Sequence, residues 1–289
     1  MTLLPLERPK DFSLAEQFLL PHEETCVSLA SLVRRKSDKL IIISDSECPV
    51  VECPQGGCIE TTGILGILNL DSTIYHCIPD PALLEADFFK DQLSYLLKKP
   101  VRCISGEKKA TDFLLKIFPN PAQIYDYKMM KWGGPMVVST SSTSGFSGGE
   151  EIIRCTEHDM ELLHPLQKDY MKEEVALPDR SITDAEVDIS LRQILKNQLC
   201  FALTVDDDIV AKANTNAIGI NKIQLGGVYT HPLYRRNGYA AALVTALSNR
   251  ALRAGKQPVL FVKEKNKPAF NLYQKIGFEE CGRYAIAYY

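Results

Sequence analysis

Residues 224–240 read Gln-Leu-Gly-Gly-Val-Tyr-Thr-His-Pro-Leu-Tyr-Arg-Arg-Asn-Gly-Tyr-Ala. An apolar strand runs out through Val228, Tyr229 and Thr230. His231-Pro232 opens a turn, and a basic glycine loop leads into a helical pattern, Tyr239–Ala254, closed by Gly255. The first turn of a helix carries backbone N–H groups with no partner inside the helix, at the positive end of the macrodipole. Such a terminus attracts phosphate. Gly238 lets backbone approach a bulky anion, Arg235 and Arg236 supply charge-assisted donors, and Ala240 keeps the helix start clear. Arg235, Arg236, Asn237, Gly238, Tyr239 and Ala240 therefore read as a diphosphate cradle. It is neither GxxxxGK[ST] nor G-x-G-x-x-G.

Working outward, Ile152–Cys155 predicts a strand and Glu157–Tyr170 a helix with Thr156 as its cap. Asp184–Asn197 carries Val187, Leu191, Ile194 and Leu195 at helical spacing. Leu199–Val205, Ile209–Ile218 and Ile223–Thr230 form a meander of three strands with tight connections. Gly226-Gly227 suits a local bulge. After the long helix come a buried strand, Val259–Val262, a helix, Lys267–Ile276, stopped by Gly277, and a last strand, Phe278–Tyr289. The first half predicts helices at Asp11–Leu20 and His22–Arg35, strands at Leu40–Ser44, Gly57–Asn69 and Thr73–Ile78, helix Leu83–Lys98, strand Val101–Ile104, helix Glu107–Phe118 and strand Gln123–Trp132. The element order repeats without a residue-level repeat. Between the halves, Gly133–Gly149 is mostly Gly, Ser and Thr, the composition of a flexible connector. The expected organisation is a domain at 1–132, a linker at 133–149 and a domain at 150–289, of class α/β (α+β).

Composition bounds the function. The 289 residues hold 45% apolar and 24% charged side chains, with 33 Lys+Arg against 36 Asp+Glu. A formal charge of −3 argues against a nucleic-acid or anionic-membrane partner. No apolar run approaches a membrane span, and residues 1–12 lack a basic segment followed by an apolar one. A cytoplasmic protein is expected. In a reducing compartment Cys77, Cys103, Cys155 and Cys200 read as small buried hydrophobes. Cys48, Cys53 and Cys58 share a Pro/Gly-rich turn region with no fourth ligand near in sequence, so free thiols in a hairpin loop, and no metal, are expected.

Two long motifs in the second half closely resemble the GNAT superfamily of N-acetyltransferases. The family's pyrophosphate loop, Q/R-x-x-G-x-G/A, is matched by Arg235-Arg-Asn-Gly238-Tyr-Ala240, after a strand reading Val228-Tyr-Thr-His-Pro232. Its second motif, N-x-x-A-x-x-L-Y-x-K-x-G-F, is matched by Asn266-Lys-Pro-Ala269-Phe-Asn-Leu272-Tyr273-Gln-Lys275-Ile-Gly277-Phe278. The strong match covers 223–278. The resemblance implies two GNAT-like domains, each a mixed, mostly antiparallel sheet flanked by helices, with acetyl-CoA as cosubstrate. The loop would take its pyrophosphate, Val228, Tyr229 and Thr230 its pantetheine arm and acetyl carbonyl, and Asn266 would touch the arm. Tyr273 matches the general-acid tyrosine that protonates the departing thiolate. No motif marks the base; Glu173 and Glu174 are the candidates, and their acidic stretch points to a cationic amine. His231, before a proline in a turn, reads as structural. In the first half Pro79-Asp80-Pro81-Ala82-Leu83-Leu84-Glu85 replaces the basic loop, and L-Y-x-K-x-G-F is missing. That half is expected not to bind CoA but to complete the fold, cover the acceptor cleft or mediate self-association as a homodimer. The expected activity is acetyl transfer to a small-molecule amine or peptide acceptor; the rival is a non-catalytic CoA-binding regulator.

Overall fold

The computed structural model describes residues 1–45, 51, 52, 59, 60, 63–134, 149–178 and 180–289. The Cys48, Cys53 and Cys58 cluster and nearly all of the Gly/Ser/Thr connector lie outside the described residues. The first half runs β1 (Thr2–Pro5), α1 (Pro9–Leu19), α2 (Val27–Arg34), β2 (Leu40–Ser44), the short pair β3 (Val51–Glu52) and β4 (Ile59–Glu60), β5 (Ile64–Asn69), β6 (Thr73–Cys77), α3 (Ala86–Leu96), β7 (Cys103–Glu107), α4 (Lys108–Ile117) and β8 (Gln123–Trp132). The second runs β9 (Glu150–Arg154), α5 (Met160–Tyr170), α6 (Asp184–Asn197), β10 (Cys200–Val205), β11 (Asp208–Ile218), β12 (Lys222–Thr230), α7 (Tyr239–Arg253), β13 (Gln257–Lys263), α8 (Lys267–Lys275) and β14 (Phe278–Tyr288). With β3 and β4 set aside, both halves read β-α-α-β-β-β-α-β-α-β.

β1 completes that match and has no counterpart in the sequence reading. Four residues ending in proline carry no strand signal of their own; pairing with the apolar β2, from Thr2↔Ser44 to Pro5↔Ile41, makes the strand. α2 starts at Val27 rather than near His22, because residues 20–25, with Pro21, wind as a tighter 3-10 turn. Cys77, Cys155 and Cys200 are buried and Cys103 half-buried, all as free thiols.

The strands form one twelve-stranded sheet in the order β1-β2-β5-β6-β7-β14-β8-β13-β12-β11-β10-β9. Its centre is an exchange. β8 ends the first half yet lies against β13 of the second, with Leu260↔Met130 and Lys263↔Tyr127. β14 ends the second half yet lies against β7 of the first, with Tyr284↔Glu107 and Tyr288↔Cys103. The two exchanged strands pair with each other from Phe278↔Trp132 to Tyr288↔Gln123. A cut within 133–149 therefore separates two halves of sequence but leaves each sheet without its inner neighbour, exposing strand edges. The fragments 1–132 and 150–289 are expected to be insoluble when made singly and to co-purify as a 1:1 complex when made together. A soluble, monodisperse 150–289 with native circular dichroism would refute this.

Helices cover both faces. α7 and α8 pack with Met130, Leu203, Leu260 and Val262, and α3 and α4 pack with Ile124 and Ala287. Side chains alternate across a sheet, so α5 and α6, over Ala202, and α2, over Val259, lie on the opposite face. None of the described helices is long and apolar enough to cross a membrane.

One buried carboxylate joins the halves. Glu23, fully buried in the turn before α2, accepts backbone N–H groups of Ile220, of Asn221 at 2.8 Å and of Lys222 at 3.2 Å, all in the β11–β12 turn. Arg34 donates to the Gly219 carbonyl at 2.8 Å, and Lys256 donates to the same carbonyl at 3.0 Å. A Cβ at Gly219 would strike the Glu23 carboxylate. Glu23→Ala takes from the Ile220, Asn221 and Lys222 N–H groups their shared acceptor and is expected to cost about 1–3 kcal/mol, seen as a Tm lower by a few degrees. An unchanged Tm would show that the turn holds itself.

Candidate functional site

β12 and β13 pair in parallel only from Lys222↔Gln257 to Leu225↔Leu260. Beyond that, β13 continues to Lys263 beside β8, while β12 continues to Thr230 beside β11. A cleft opens between residues 226–230 and 261–263. A bulge sits where the strands part: Lys212 faces Tyr229 and Asn214 faces Gly226, so that Ala213 alone stands against Gly227 and Val228. Gly227 makes the bulge at φ +57, a conformation that favours glycine. The Asn214 side chain occupies the space a Cβ at 227 would need, and Asn216 does the same at 226.

The bulge is surrounded by polar groups brought from four elements. Lys212 of β11, 1% exposed, donates to the Gly227 carbonyl at 2.9 Å and to Asn214 Oδ1 at 3.3 Å. Its Nζ lies 4.6 Å from the centre of the Tyr170 ring. Burial pushes the Tyr170 phenol up to about 12, and a hydrogen bond from the Gly227 backbone draws it the other way. Tyr170 meets Tyr229 edge-on at 6.2 Å. Tyr273, on α8, is 8% exposed and packs edge-on against Phe278. Burial raises its pKa well above the ordinary phenol, with Tyr170 and Glu174 adding to the rise. The sequence-predicted acid is therefore a buried phenol with its proton firmly held.

The two acidic candidates are both paired. Glu173 Oε2 accepts from Arg235 at 2.7 Å and from the Tyr229 hydroxyl at 3.0 Å. The Arg235 hydrogen bond holds its pKa below the ordinary glutamate, which makes it a weaker base. Glu174 Oε2 lies 3.1 Å from Lys263 Nζ, which also donates to the Glu174 carbonyl at 2.6 Å. Beside them is a cavity of about 620 Å³ walled by Tyr125, Lys172, Glu173, Arg180, Lys263 and Lys265. Lys172, Arg180 and Lys263 are each paired with a carboxylate, Asp169, Glu186 and Glu174, so no unpaired acidic wall stands there to select a cationic acceptor.

The basic loop leads into α7 as expected. Arg236 at φ +73 and Gly238 at φ +82 bracket Asn237, and Gly238 is the N-cap of α7 without a side-chain cap. The free N–H groups of the first turn thus face outward. A Cβ at Gly238 would meet nothing within 4 Å, so space is open in front of them. These features fit a diphosphate. Asn237 Nδ2 donates to the Tyr234 carbonyl at 3.3 Å and ties the loop together. Arg235 is turned back, donating to the Thr230 carbonyl at 3.1 Å as well as to Glu173. Tyr239 offers only backbone to the cradle, since its ring is buried in the core beneath α7; Ala240 follows it half-buried. Val228 packs on the α7 face, while the Tyr229 hydroxyl points to Glu173. Asn266 Oδ1 caps α8 by accepting from Ala269 N–H at 3.1 Å, which leaves its Nδ2 as the remaining donor.

A groove of about 390 Å³ on the α2 and α6 face spans both halves. Arg35, the residue that caps the end of α2, is its one charged liner among the described residues; Asn197, Asn214, Asn216 and Gln224 supply amides, and Phe261 stacks on Tyr284 at 4.1 Å as part of its floor. The sequence reading missed this groove, as well as Lys212 and Tyr170. Lys212 had a signal: a lysine inside the apolar run Ile209–Ala213 of a strand covered on both faces. The groove had none, because its walls come from opposite ends of the chain. Among the described residues no group of three or more His, Cys, Asp and Glu is placed to hold a metal ion.

Comparison with known proteins bears on the fold. Residues 209–286 match the family model described as FR47-like protein. A putative GNAT-family acetyltransferase from Novosphingobium aromaticivorans is similar in fold, with TM-score 0.52 and 16% identity over 91% of this chain and 96% of that one. A GCN5-related N-acetyltransferase from Sphaerobacter thermophilus gives TM-score 0.57 at 13% identity, over 99% and 94%. A tandem GNAT protein from the clavulanic acid biosynthesis pathway gives TM-score 0.57 at 10% identity, over 99% and 97%. No protein of curated function matches the sequence.

Proposed function

We propose that this chain, which carries the GNAT acetyltransferase fold in tandem, transfers an acetyl group from acetyl-CoA to an amine seated on the α2 and α6 face. The observation that carries the reading is the bulged, diverging β12–β13 cleft beside an uncapped helix N-terminus with open space at Gly238. Acetyl-CoA supplies an activated thioester. The α7 N-terminus and Arg236 hold the diphosphate, and the outer strand of residues 228–230 lies along the pantetheine arm, with Asn266 Nδ2 as a further donor. The amine nitrogen bonds to the carbonyl carbon, the carbon–sulfur bond breaks, and Tyr273 gives its proton to the sulfur. Glu173 anchors Arg235 and Tyr229. Glu174, the carboxylate whose charge Tyr170 and Tyr273 both feel, takes the amine proton. With Arg35 the sole charged liner of the groove among the described residues and no unpaired acidic wall beside Glu173, the acceptor is an amine whose remainder is neutral or anionic.

The first half takes no nucleotide in this scheme. Asp80 caps a short turn at Pro81–Leu83, accepting from Ala82 N–H at 3.1 Å, where the second half has its basic loop. Calorimetry is expected to find one acetyl-CoA per chain, and a panel of amines to include acceptors that release free thiol. Two bound nucleotides would return the first half to a binding role. No binding and no thiol release would remove the proposal. A tyrosine at this position of the intact second motif favours catalysis over mere CoA sensing.

A further inference from the structure

Lys212 is a buried ion without a counter-ion. It lies mid-strand in β11, in the run Ile209-Val-Ala-Lys-Ala213. Taking an ammonium out of water is strongly unfavourable unless an anion or full hydrogen bonding offsets it. Its partners are the Gly227 carbonyl, the Asn214 amide oxygen and the Tyr170 ring, and none is anionic. An apolar side chain of similar volume would serve stability as well or better. The position of the partners gives the lysine a different purpose. Gly227 is the residue that breaks the β12 ladder. Lys212 occupies its carbonyl, and its backbone is also bonded to Tyr170. The bulge is thereby gripped from the α5 side, at the level where the strands part.

We infer that Lys212 is a positioning residue for acyl transfer: its ammonium clamps the Gly227 carbonyl, holds the bulge open, and places positive charge behind the site where the acetyl oxygen gains negative charge. The inference rests on the acetyl-transfer reading above. The titratable groups around Lys212 are Cys200 on β10, Cys155 after β9, Tyr170 on α5 and Tyr229 on β12, with Asp159 near the thiols. Burial lowers the lysine to about 8, against the pull of both thiols. The charged form is the working form, so kcat falls as pH rises through that value.

The test uses the full chain and Lys212→Met, which keeps the volume and removes the charge. The variant is expected to keep or raise Tm, to bind acetyl-CoA as tightly, and to lose about 10²-fold in kcat. The basic limb of kcat disappears in Lys212→Met and persists in Cys200→Ala. The carbonyl resonance of bound [1-¹³C]acetyl-CoA moves downfield in the wild type and less in the variant, a readout that needs no acceptor. Unchanged kcat and carbonyl shift in Lys212→Met overturn the inference, as does a limb that survives in it. Should the variant not fold, the wild type decides: a carbonyl shift and kcat that stay flat on both sides of pH ~8 reject the clamp. Failure of wild-type acetyl-CoA binding in the calorimeter identifies the acetyl-transfer reading as the one that fell.

Discussion

Tyr273→Phe is expected to lower kcat by about 10²–10⁴-fold, the range for removing a positioned general acid, with acetyl-CoA affinity unchanged. The substitution is clean. Tyr273 is 8% exposed and its ring packs against Phe278 in the core of the second half. Phenylalanine keeps that packing and deletes only the hydroxyl, so Tm should hold. The raised pKa sets the sign of the pH dependence. The acid form is the working form, and burial keeps the phenol protonated across the neutral range. Tyr273 therefore adds no basic limb to the rate profile in the neutral range, and its loss lowers the curve without shifting it at neutral pH. Equal turnover of wild type and Tyr273→Phe with several amines would transfer the acid role to solvent.

Gly238→Asp is expected to weaken acetyl-CoA binding by at least about 100-fold, because like charges brought together cost several kcal/mol and each 1.4 kcal/mol is tenfold. The backbone can accept the change: Gly238 has φ +82, and aspartate is among the few residues that visit this region. The added side chain enters space where nothing lies within 4 Å, so the fold survives while a carboxylate stands before the first-turn amides. Gly238→Asn repeats the geometry without the charge and should fall between the two. Calorimetry that returns wild-type affinity for the aspartate variant would mean the diphosphate binds elsewhere.

The second half was legible almost element by element. α6 falls on Asp184–Asn197 as read, because Thr183 and Glu186 form a capping box that fixes its start locally. The start of α7 also follows from adjacent residues, since Gly238 at positive φ sets it. Those signals travel only a few residues along the chain, and so did the reading. The same locality explains the errors. Glu173 and Glu174 looked like an exposed acidic turn open to a cationic substrate, but Arg235 lies 62 positions from Glu173 and Lys263 lies 89 from Glu174. Those two cations pair with the carboxylates, and no spacing rule along the chain reaches them.

Local chemistry determined which segments become strands and helices, where the phosphate-attracting helix terminus lies, and which tyrosine belongs to the second motif. Short-range hydrogen bonding, periodicity and steric limits on φ act within a turn or two, so they are written in consecutive residues. Only the tertiary structure decided that β8 and β14 trade places at the centre of one sheet, that Glu23 binds the turn at 219–222, and that Lys212 grips Gly227 in the dark of the core. Those are pairings across 15 to nearly 200 residues, chosen by burial and register between surfaces that exist only after the strands have formed.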